Sequence, residues 1–334
     1  SITNYPDKKV YSTTDSSFPG GNVYDAAKNF HKESDKLTVF LITSGSGETL
    51  STLIDAEYLA SYMRGFKPKN IKVAMLTSNL KSSIAKLVRN IGGLVVYIKG
   101  RSKEEIDEIA REPIRYLSKG IMGDQYELAV NLILTMMADS VAKQGDFQEF
   151  KESLRKEVRI IGGLVDKTME LEPYQEIVEA LQGRCNVYCM SKGIGTYVAS
   201  MFGIRLNHIK NIFGSHVYDL ESINAVPPMK DDVGIAISYS GETKDVVRWC
   251  EEMERVGCRV FSFTANEHSS LANVTGKNTV IIDGREDGRI RKFYTRTAFV
   301  LSSIPVLLCL KIKEKYDLSI HEDLLKKLGH SKFT

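Results

Sequence analysis

Two short segments of this chain carry hydroxyl side chains and glycines in the same order. They read Ser44-Gly45-Ser46-Gly47-Glu48-Thr49 and Ser238-Tyr239-Ser240-Gly241-Glu242-Thr243. Each follows an apolar run typical of a buried strand and precedes a helical pattern. Backbone N–H groups, hydroxyls and the positive end of a helix dipole can together bind a phosphate without Lys or Arg. These segments, which we call the first and second hydroxyl turns, therefore predict phosphate binding.

The same residues also allow a plainer interpretation. A Ser or Thr N-cap accompanied by Glu opens many helices and requires no ligand. A single copy of the pattern leaves the two interpretations about equal. Two copies at equivalent places in the chain favour the phosphate site.

Similarity between the two halves extends beyond the hydroxyl turns. Residues 77–79 and 264–266 each end an apolar strand pattern with Thr, a small residue and Asn, and residues 95–101 match 279–285. Matched blocks in the same order indicate an internal duplication. Short Val- and Ile-rich runs alternate with helical patterns, as in parallel strands joined by crossover helices. We predict an α/β fold of two tandem doubly wound parallel-sheet domains, each a three-layer α-β-α sandwich.

The predicted boundaries are a first domain at residues 1–145, linking helices at 146–182 and a second domain with a C-terminal helical tail at 183–334. The second copy opens with a strand at 186–190, a Gly-containing turn and a helix. The first copy has no such opening, so we expect this module to lack its opening strand and helix. We favour a segment upstream of residue 1 in the natural protein, because a parallel sheet without that strand exposes an edge.

Composition and charge limit the possible partners. The chain has 334 residues, of which 43% are hydrophobic and 26% charged, which excludes a disordered or fibrous protein. Its 45 Lys and Arg against 42 Asp and Glu give a net charge of only +3, and no basic block is visible. We therefore expect no nucleic-acid partner.

The cysteines and the apolar runs indicate a cytoplasmic protein. None of the five cysteines lies in a C-x-x-C pair, so we expect neither a metal site nor a disulfide framework. The apolar run at 298–310 is shorter than the ~20 residues that span a bilayer. No charged-then-apolar leader opens the chain, and we expect no membrane partner.

Both hydroxyl turns resemble the signature turn of the sugar isomerase (SIS) domain family. This family includes phosphohexulose isomerases, arabinose-5-phosphate isomerases and the isomerase half of glucosamine-6-phosphate synthase. The resemblance covers residues 186 to about 310 in the second copy, and the first copy to about residue 141 with an insertion at 7–35. It implies a flavodoxin-like module with a five-stranded parallel sheet, and sugar phosphates as small-molecule ligands without a cofactor.

The resemblance also implies which residues bind the substrate phosphate. These are Ser44, Ser46, Thr49, Ser238, Ser240 and Thr243, joined by Gly193 and Thr196 in the turn after the opening strand of the second copy. Many relatives have Gly-x-Gly-x-Ser in that turn. Here Gly195 replaces the hydroxyl residue, and Ile194 stands where phosphohexulose isomerases usually carry arginine.

Aldose–ketose isomerisation requires a base that moves a proton between C1 and C2. Tyr126 and Glu127, which open an apolar helix, resemble the Phe-Glu pair of phosphohexulose isomerases, and this makes Glu127 the candidate base. A helix-opening Glu that merely complements the dipole is an equally good interpretation. The second copy has Thr295 at that position and offers Glu286 instead.

Histidines are candidates for opening the sugar ring, because neutral imidazole exchanges protons near pH 7. His208 lies in a helix whose residues 202–208 resemble the phosphohexulose isomerases, and His216 lies shortly after it. A histidine on a helix is more often structural, so both assignments compete with that interpretation.

The overall prediction is a phosphosugar aldose–ketose isomerase acting through an enediol. A non-catalytic phosphosugar sensor and an amino-sugar-phosphate deaminase or isomerase remain open alternatives. The apolar helices at 128–141 and 298–310 look too apolar for one small sheet each. We therefore predict a homo-oligomer, either a dimer or a tetramer.

Overall fold

The computed structural model describes residues 22–33, 36–100, 124–220, 225–284 and 291–316. These residues divide into two compact units. The first unit contains the described residues up to 100 together with 125–134, and the second contains the described residues from 135 onward with Asp124. The domain boundaries given above stay a prediction.

The first unit contains a parallel sheet with its helices on both faces. Within the described residues the sheet has three strands in the order β1-β2-β3. The strands are β1 (Thr38–Thr43), β2 (Ile71–Thr77) and β3 (Leu94–Tyr97). The helices are α1 (Val23–Lys32), α2 (Leu50–Phe66), α3 (Ser83–Asn90) and the start of α4 (Asp124–Lys143).

Alternate residues of β2 serve the two faces of this sheet. Ile71 and Met75 are buried in a core with Leu59 of α2 and Ile84 of α3. Leu76 is buried on the opposite side, in a cluster that includes residues of α4. A strand covered on both faces carries apolar residues at consecutive positions, which explains the apolar run from Val73 to Leu76.

The second unit contains a parallel sheet of five strands in the order β5-β4-β6-β7-β8. The strands are β4 (Val187–Ser191), β5 (Val217–Asp219), β6 (Val233–Ile237), β7 (Arg259–Thr264) and β8 (Thr279–Ile281). Counted from β4, this is the 2-1-3-4-5 order of flavodoxin-like folds. The predicted flavodoxin-like architecture is confirmed. The three described strands of the first unit correspond in sequence to β6, β7 and β8, whereas the SIS resemblance implies five in each module.

Helices cover both faces of the second sheet. Tyr188 and Met190 pack with residues of α8 and α9 on one face. Cys189 lies on the other face, next to Gly203 in the middle of α7. On that second face α7 and α10 pack against each other. The helices of this unit are α5 (Phe147–Met169), α6 (Glu172–Leu181), α7 (Ile194–Lys210), α8 (Lys244–Arg255), α9 (Ser270–Thr275) and α10 (Phe293–Tyr316).

One helix in the described part of the chain, α10, is long and apolar enough to cross a membrane by length and composition. The stretch Phe293–Ile312 has this character, and 61% of its most apolar window is buried inside the protein. Core helices of folded domains pass the same test. The helix is also longer than the apolar run of 298–310 recognised in the sequence.

A buried ion pair holds α5 against α10. The Arg296 guanidinium donates from Nε to Glu157 Oε1 at 2.7 Å and from Nη2 to Oε2 at 2.9 Å, and both side chains are almost fully buried. Its Nη1 donates to the carbonyl oxygen of Asp283 at 2.7 Å. Lys292 Nζ lies 3.4 Å from Glu157 Oε2 and 3.9 Å from Asp139 Oδ2. These contacts compensate the charges that folding removes from water.

Glu157→Ala should destabilise the protein by about 3–5 kcal/mol, because it leaves the Arg296 guanidinium buried without its carboxylate. Urea unfolding followed by circular dichroism measures this loss. Glu152→Ala, on the exposed side of the same helix, is the matched control and should change stability by less than about 0.5 kcal/mol. Equal effects of the two substitutions would contradict the role given to the ion pair.

Candidate functional site

The first hydroxyl turn follows β1 and is closed by its own side chains. Ser44 Oγ accepts a hydrogen bond from the Gly47 N–H at 3.0 Å and lies 3.2 Å from Thr49 Oγ1. Ser46 Oγ accepts the Glu48 N–H at 3.2 Å. Ser44 is buried, whereas Ser46 and Thr49 are exposed. The turn therefore has one internal hydroxyl that shapes it and two at its surface.

The second hydroxyl turn, which follows β6, repeats these contacts. Ser238 Oγ accepts the Gly241 N–H at 3.2 Å and lies 2.9 Å from Thr243 Oγ1. Ser240 Oγ accepts the Glu242 N–H at 3.2 Å. The duplication recognised in the sequence thus extends to individual hydrogen bonds.

A glycine is required in each turn for two reasons. Gly47 and Gly241 have φ angles of +68° and +69°, in the left-handed region that side chains disfavour. A Cβ atom on Gly47 would also lie 2.1 Å from Ser82 Oγ, and one on Gly241 would lie 2.0 Å from Ser269 Oγ. Ser82 and Ser269 are the N-caps of α3 and α9, so each turn packs directly on the start of the following helix.

The capping interpretation of these turns is wrong for their own helices. Thr49 and Thr243 are the N-caps of α2 and α8, but neither makes a side-chain capping bond. Glu48 Oε1 instead accepts the Ser83 N–H at 2.7 Å, and Glu242 accepts the N–H and hydroxyl of Ser270 at 2.9 and 2.7 Å. Each glutamate thus binds the start of the next helix. Hydrogen bonds from Ser83 lower the pKa of Glu48, and those from Ser270 lower the pKa of Glu242.

Both hydroxyl turns lie at the carboxyl ends of their strands, where open parallel sheets bind ligands. The end of the neighbouring strand holds each turn in place. Ser78 Oγ donates to the Gly45 carbonyl at 2.8 Å, and Thr264 Oγ1 donates to the Tyr239 carbonyl at 3.3 Å. The N-terminus of a long helix, α2 or α8, begins immediately after each turn.

The turn after β4 lies beside the second hydroxyl turn, because Ser191 pairs with Ile237 in the sheet. Gly193 has a φ of +61° and is the N-cap of α7. A Cβ on Gly195 would lie 2.0 Å from Ser191 Oγ, which donates to the Ile237 carbonyl at 2.8 Å. The Ser191 hydroxyl therefore occupies the space that a side chain at 195 would need. Thr196 Oγ1 lies 3.5 Å from the Ser191 carbonyl oxygen.

Glu127 is an exposed residue in the first turns of α4, next to a tyrosine that packs on the first hydroxyl turn. The Tyr126 ring lies 3.2 Å from where a Cβ on Gly45 would be, and its hydroxyl donates to the Leu76 carbonyl at 2.7 Å. Burial raises the pKa of the Tyr126 hydroxyl to about 12. At the corresponding position of the second unit, Thr295 is buried and lies 2.8 Å from the Thr135 hydroxyl.

The two candidate histidines are not brought to the second hydroxyl turn. His216 N–H donates to Asn186 Oδ1 at 3.1 Å, at the amino ends of β4 and β5 and thus at the opposite edge of the sheet. His208 lies in the last turn of α7, roughly 20 Å along the helix from its start at the carboxyl ends of the strands. Glu286 lies outside the described residues.

Two aromatic contacts at the second hydroxyl turn were not predicted from the sequence. The Arg291 guanidinium lies 4.5 Å from the centroid of the Tyr239 ring, and the Phe293 ring lies edge-on to Tyr239 at 5.6 Å. The sequence feature that could have indicated these contacts is Tyr239, the aromatic residue between Ser238 and Ser240. Its partners are about 50 residues away in the chain, and nothing in the pattern names them.

Residues 181–308 match the family model of the SIS domain. This part of the chain is therefore similar to SIS domains. The first unit repeats the turn after β6 with the same hydrogen bonds, so the two units share this local structure.

Curated relatives of the tandem match over only part of their lengths. The chain is 30% identical over 107 residues to an uncharacterized protein of Archaeoglobus fulgidus, covering 32% of this chain and 56% of the relative. It is 23% identical over 206 residues to the isomerizing glutamine–fructose-6-phosphate aminotransferase of Sulfurisphaera tokodaii, covering 57% of this chain and 34% of that protein. The chain thus spans about half or less of these relatives.

Among solved structures, the C-terminal domain of glucosamine-fructose-6-phosphate aminotransferase from Francisella tularensis is similar to the tandem. Its sequence identity is 15%, and the match covers 86% of this chain and 76% of that chain with a TM-score of 0.49.

Gly241→Ala should destabilise the protein by about 1–3 kcal/mol, because the methyl group meets Ser269 Oγ and the backbone conformation is left-handed. The matched control is Gly162→Ala in α5, where an added Cβ has no neighbour within 4 Å. That control should stabilise the protein by about 0.5–1 kcal/mol, since alanine favours a helix over glycine. Thermal unfolding of both variants measures the difference, and a harmless Gly241→Ala would contradict the packing described.

Proposed function

We propose that this chain binds sugar phosphates at its hydroxyl turns and interconverts their aldose and ketose forms through an enediol. The observation that carries the proposal is the matched pair of hydroxyl turns. Both lie at a carboxyl strand end, and both precede a helix whose Thr N-cap makes no side-chain capping bond. The SIS domain at 181–308 and the relative named for fructose 6-phosphate support this ligand class.

The proposed phosphate contacts follow from the hydrogen bonds of each turn. Ser46 and Ser240 accept backbone N–H groups through their oxygens, so their own protons are available to phosphate oxygens. The first N–H groups of α2 and α8 add donors and a favourable dipole. Because Glu48 and Glu242 bind the next helices, their carboxylates are directed away from the anion they would repel.

We assign the proton transfer between C1 and C2 to Glu127. Its carboxylate is exposed, and its neighbour Tyr126 packs on the first hydroxyl turn. Tyr126 stays protonated at neutral pH because its pKa is about 12, so its hydroxyl remains a hydrogen-bond donor rather than a second anion. The matching residue of the second domain, Thr295, has no carboxylate that could act as the base. Glu286 is therefore the remaining carboxylate candidate of that domain.

His208 and His216 stay candidates for ring opening only in an assembly where another copy presents them to a turn. Their positions at the far edge of the second sheet leave no route within that domain. A role for these histidines therefore requires the predicted dimer or tetramer, whereas the role proposed for Glu127 does not.

A sugar-phosphate sensor is the second candidate function. The buried Thr295, which replaces the candidate base in the second domain, favours it because binding without chemistry needs the turns alone. The third candidate, an amino-sugar-phosphate deaminase or isomerase, differs from the isomerase because a deaminase releases ammonia. The similarity to an aminotransferase is the reason to include this candidate in the tests.

Ligand binding at the second turn can be followed through Trp249, the only tryptophan of the chain. It lies in α8, and Lys192 Nζ is 5.0 Å from its ring centroid. Titration with fructose 6-phosphate should change its fluorescence. The double change Ser240→Ala with Thr243→Ala should weaken that titration at least about tenfold, since each lost bond to a charged group is worth about 1.5–3 kcal/mol.

The matched control for this experiment is Ser46→Ala with Thr49→Ala in the first turn. It should leave the Trp249 titration unchanged while removing one binding event from calorimetry of the same chain. If the second-turn variant binds like the wild type, the turns are not the phosphate sites.

Glu127→Gln should slow exchange of the C2 proton by about 10²–10⁴-fold, because the amide keeps the shape and loses the basicity. NMR in D₂O with hexose, hexulose and pentose phosphates measures the exchange, and calorimetry should show nearly intact binding. Glu57→Gln, at an exposed position of α2, is the control and should exchange at the wild-type rate.

Other outcomes of this assay separate the alternatives. Full exchange in Glu127→Gln and none in Glu286→Gln would place the base in the second domain. A wild type that binds without exchange would support the sensor, and ammonia release from glucosamine 6-phosphate would support the deaminase.

A further inference from the structure

The two hydroxyl turns differ in the residue between their first two serines. The first domain has Gly45 there, and the Tyr126 ring fills the adjacent space at 3.2 Å from the missing Cβ. The second domain has Tyr239, whose ring is supported edge-on by Phe293 and carries Arg291 on its face. The carbonyl at this position accepts a hydrogen bond from a threonine hydroxyl in both turns, from Thr77 or Thr264. The Ser78 hydroxyl adds a further bond to Gly45 that Ala265 cannot make.

Arg291 is an exposed cation fixed next to the second hydroxyl turn. Its guanidinium lies 4.5 Å from the Tyr239 ring centroid, a separation typical of cation–π stacking. A stacked guanidinium keeps its N–H donors at its rim, in a fork that fits a carboxylate or a phosphate. No carboxylate pairs with Arg291 within the residues that the structure describes. Arg248 and Arg296, by contrast, contact Asp245 and Glu157.

A phosphate on the turn would not need Arg291. The serine hydroxyls and the N–H groups at the start of α8 already supply hydrogen-bond donors for it. A second cation, Lys192, also lies near the start of α8, with its Nζ 3.4 Å from Asp245. Arg291 is held on the Tyr239 ring, whereas the Ser240 hydroxyl is held by the Glu242 N–H, so the two groups are placed to meet different parts of a bound molecule. A negative group is the partner that a guanidinium binds most strongly, through charge-assisted hydrogen bonds.

We propose that the second SIS domain binds a sugar phosphate that carries a second negative group, a carboxylate or another phosphate, and that Arg291 binds this group. The inference rests on the proposed phosphate binding at the hydroxyl turns and adds the substrate class of one of them. The first turn has no side chain at Gly45, and the Tyr126 ring that packs there carries no cation among the described residues. The two domains therefore recognise different ligands.

Trp249 fluorescence of the full chain tests this with two pairs of probes. Glucose 6-phosphate is compared with 6-phosphogluconate, which adds a carboxylate, and fructose 6-phosphate with fructose 1,6-bisphosphate. The wild type should bind at least one doubly negative probe about tenfold or more tightly than its partner, the range expected for a charge-assisted bond. The pair that shows the preference identifies the second group.

Arg291→Gln should reduce that preference to less than about twofold and leave the monophosphate affinity within about twofold of the wild type. Tyr239→Phe keeps the ring and should keep the preference, whereas Tyr239→Gly, which copies the first turn, should lose it. Arg248→Gln removes another exposed arginine of the same domain and controls for general charge, so it should leave the preference intact. Circular dichroism establishes that each variant is folded.

Two results would overturn the inference while leaving the proposed function in place. One is a wild type that binds monophosphates without preferring either doubly negative probe. The other is an Arg291→Gln variant that loses affinity for both members of a pair by the same factor, which would make Arg291 a ligand of the turn's own phosphate. If no sugar phosphate binds at all, the proposed function fails together with the inference.

Discussion

The close packing of each hydroxyl turn on the next helix is the constraint on which the rest of the site depends. A glycine with positive φ, Gly47 or Gly241, lets the N-cap serine of that helix occupy the place of a Cβ. The adjacent glutamate can then reach across to the helix N–H groups. This cross-connection holds each glutamate carboxylate at the start of the next helix, while Ser46 and Ser240 stay exposed at the surface of their turns. A methyl group on this glycine would push the turn away from the next helix. The glutamate would then lose its hydrogen bond to that helix, and the serine hydroxyls would change orientation.

Much of the fold could be predicted from the sequence, because it rests on local patterns. Apolar runs such as residues 187–190 of β4 indicate strands covered on both faces, and the repeated turns indicate a duplication. The flavodoxin-like strand order followed from the family resemblance of those turns. Ser46 and Ser240 are exposed at the surface of their turns, and their role as phosphate donors stays a prediction.

The rest of the site depends on contacts between distant parts of the chain. Whether Glu242 caps its own helix or the next one is decided by where α9 packs, and the turn sequence is the same in either case. The histidines illustrate the same limit. His208 and His216 have suitable chemistry, but the direction of α7 and β5 carries them to the far edge of the sheet. The stack of Arg291 on Tyr239 likewise joins residues that no periodic pattern relates.

The cross-connected turn has a consequence for how these domains can diverge. The serines, the glycine, the glutamate and the threonine all contact one another or the next helix, so a substitution at any of them disturbs several contacts. The side chain at position 45 or 239 takes no part in that network, although its carbonyl does. A substitution at this position therefore keeps the hydrogen bonds of the turn and changes only the neighbouring packing, against Tyr126 in the first unit and against Phe293 and Arg291 in the second. The two halves of a duplicated chain can differ there without losing the turn that they share.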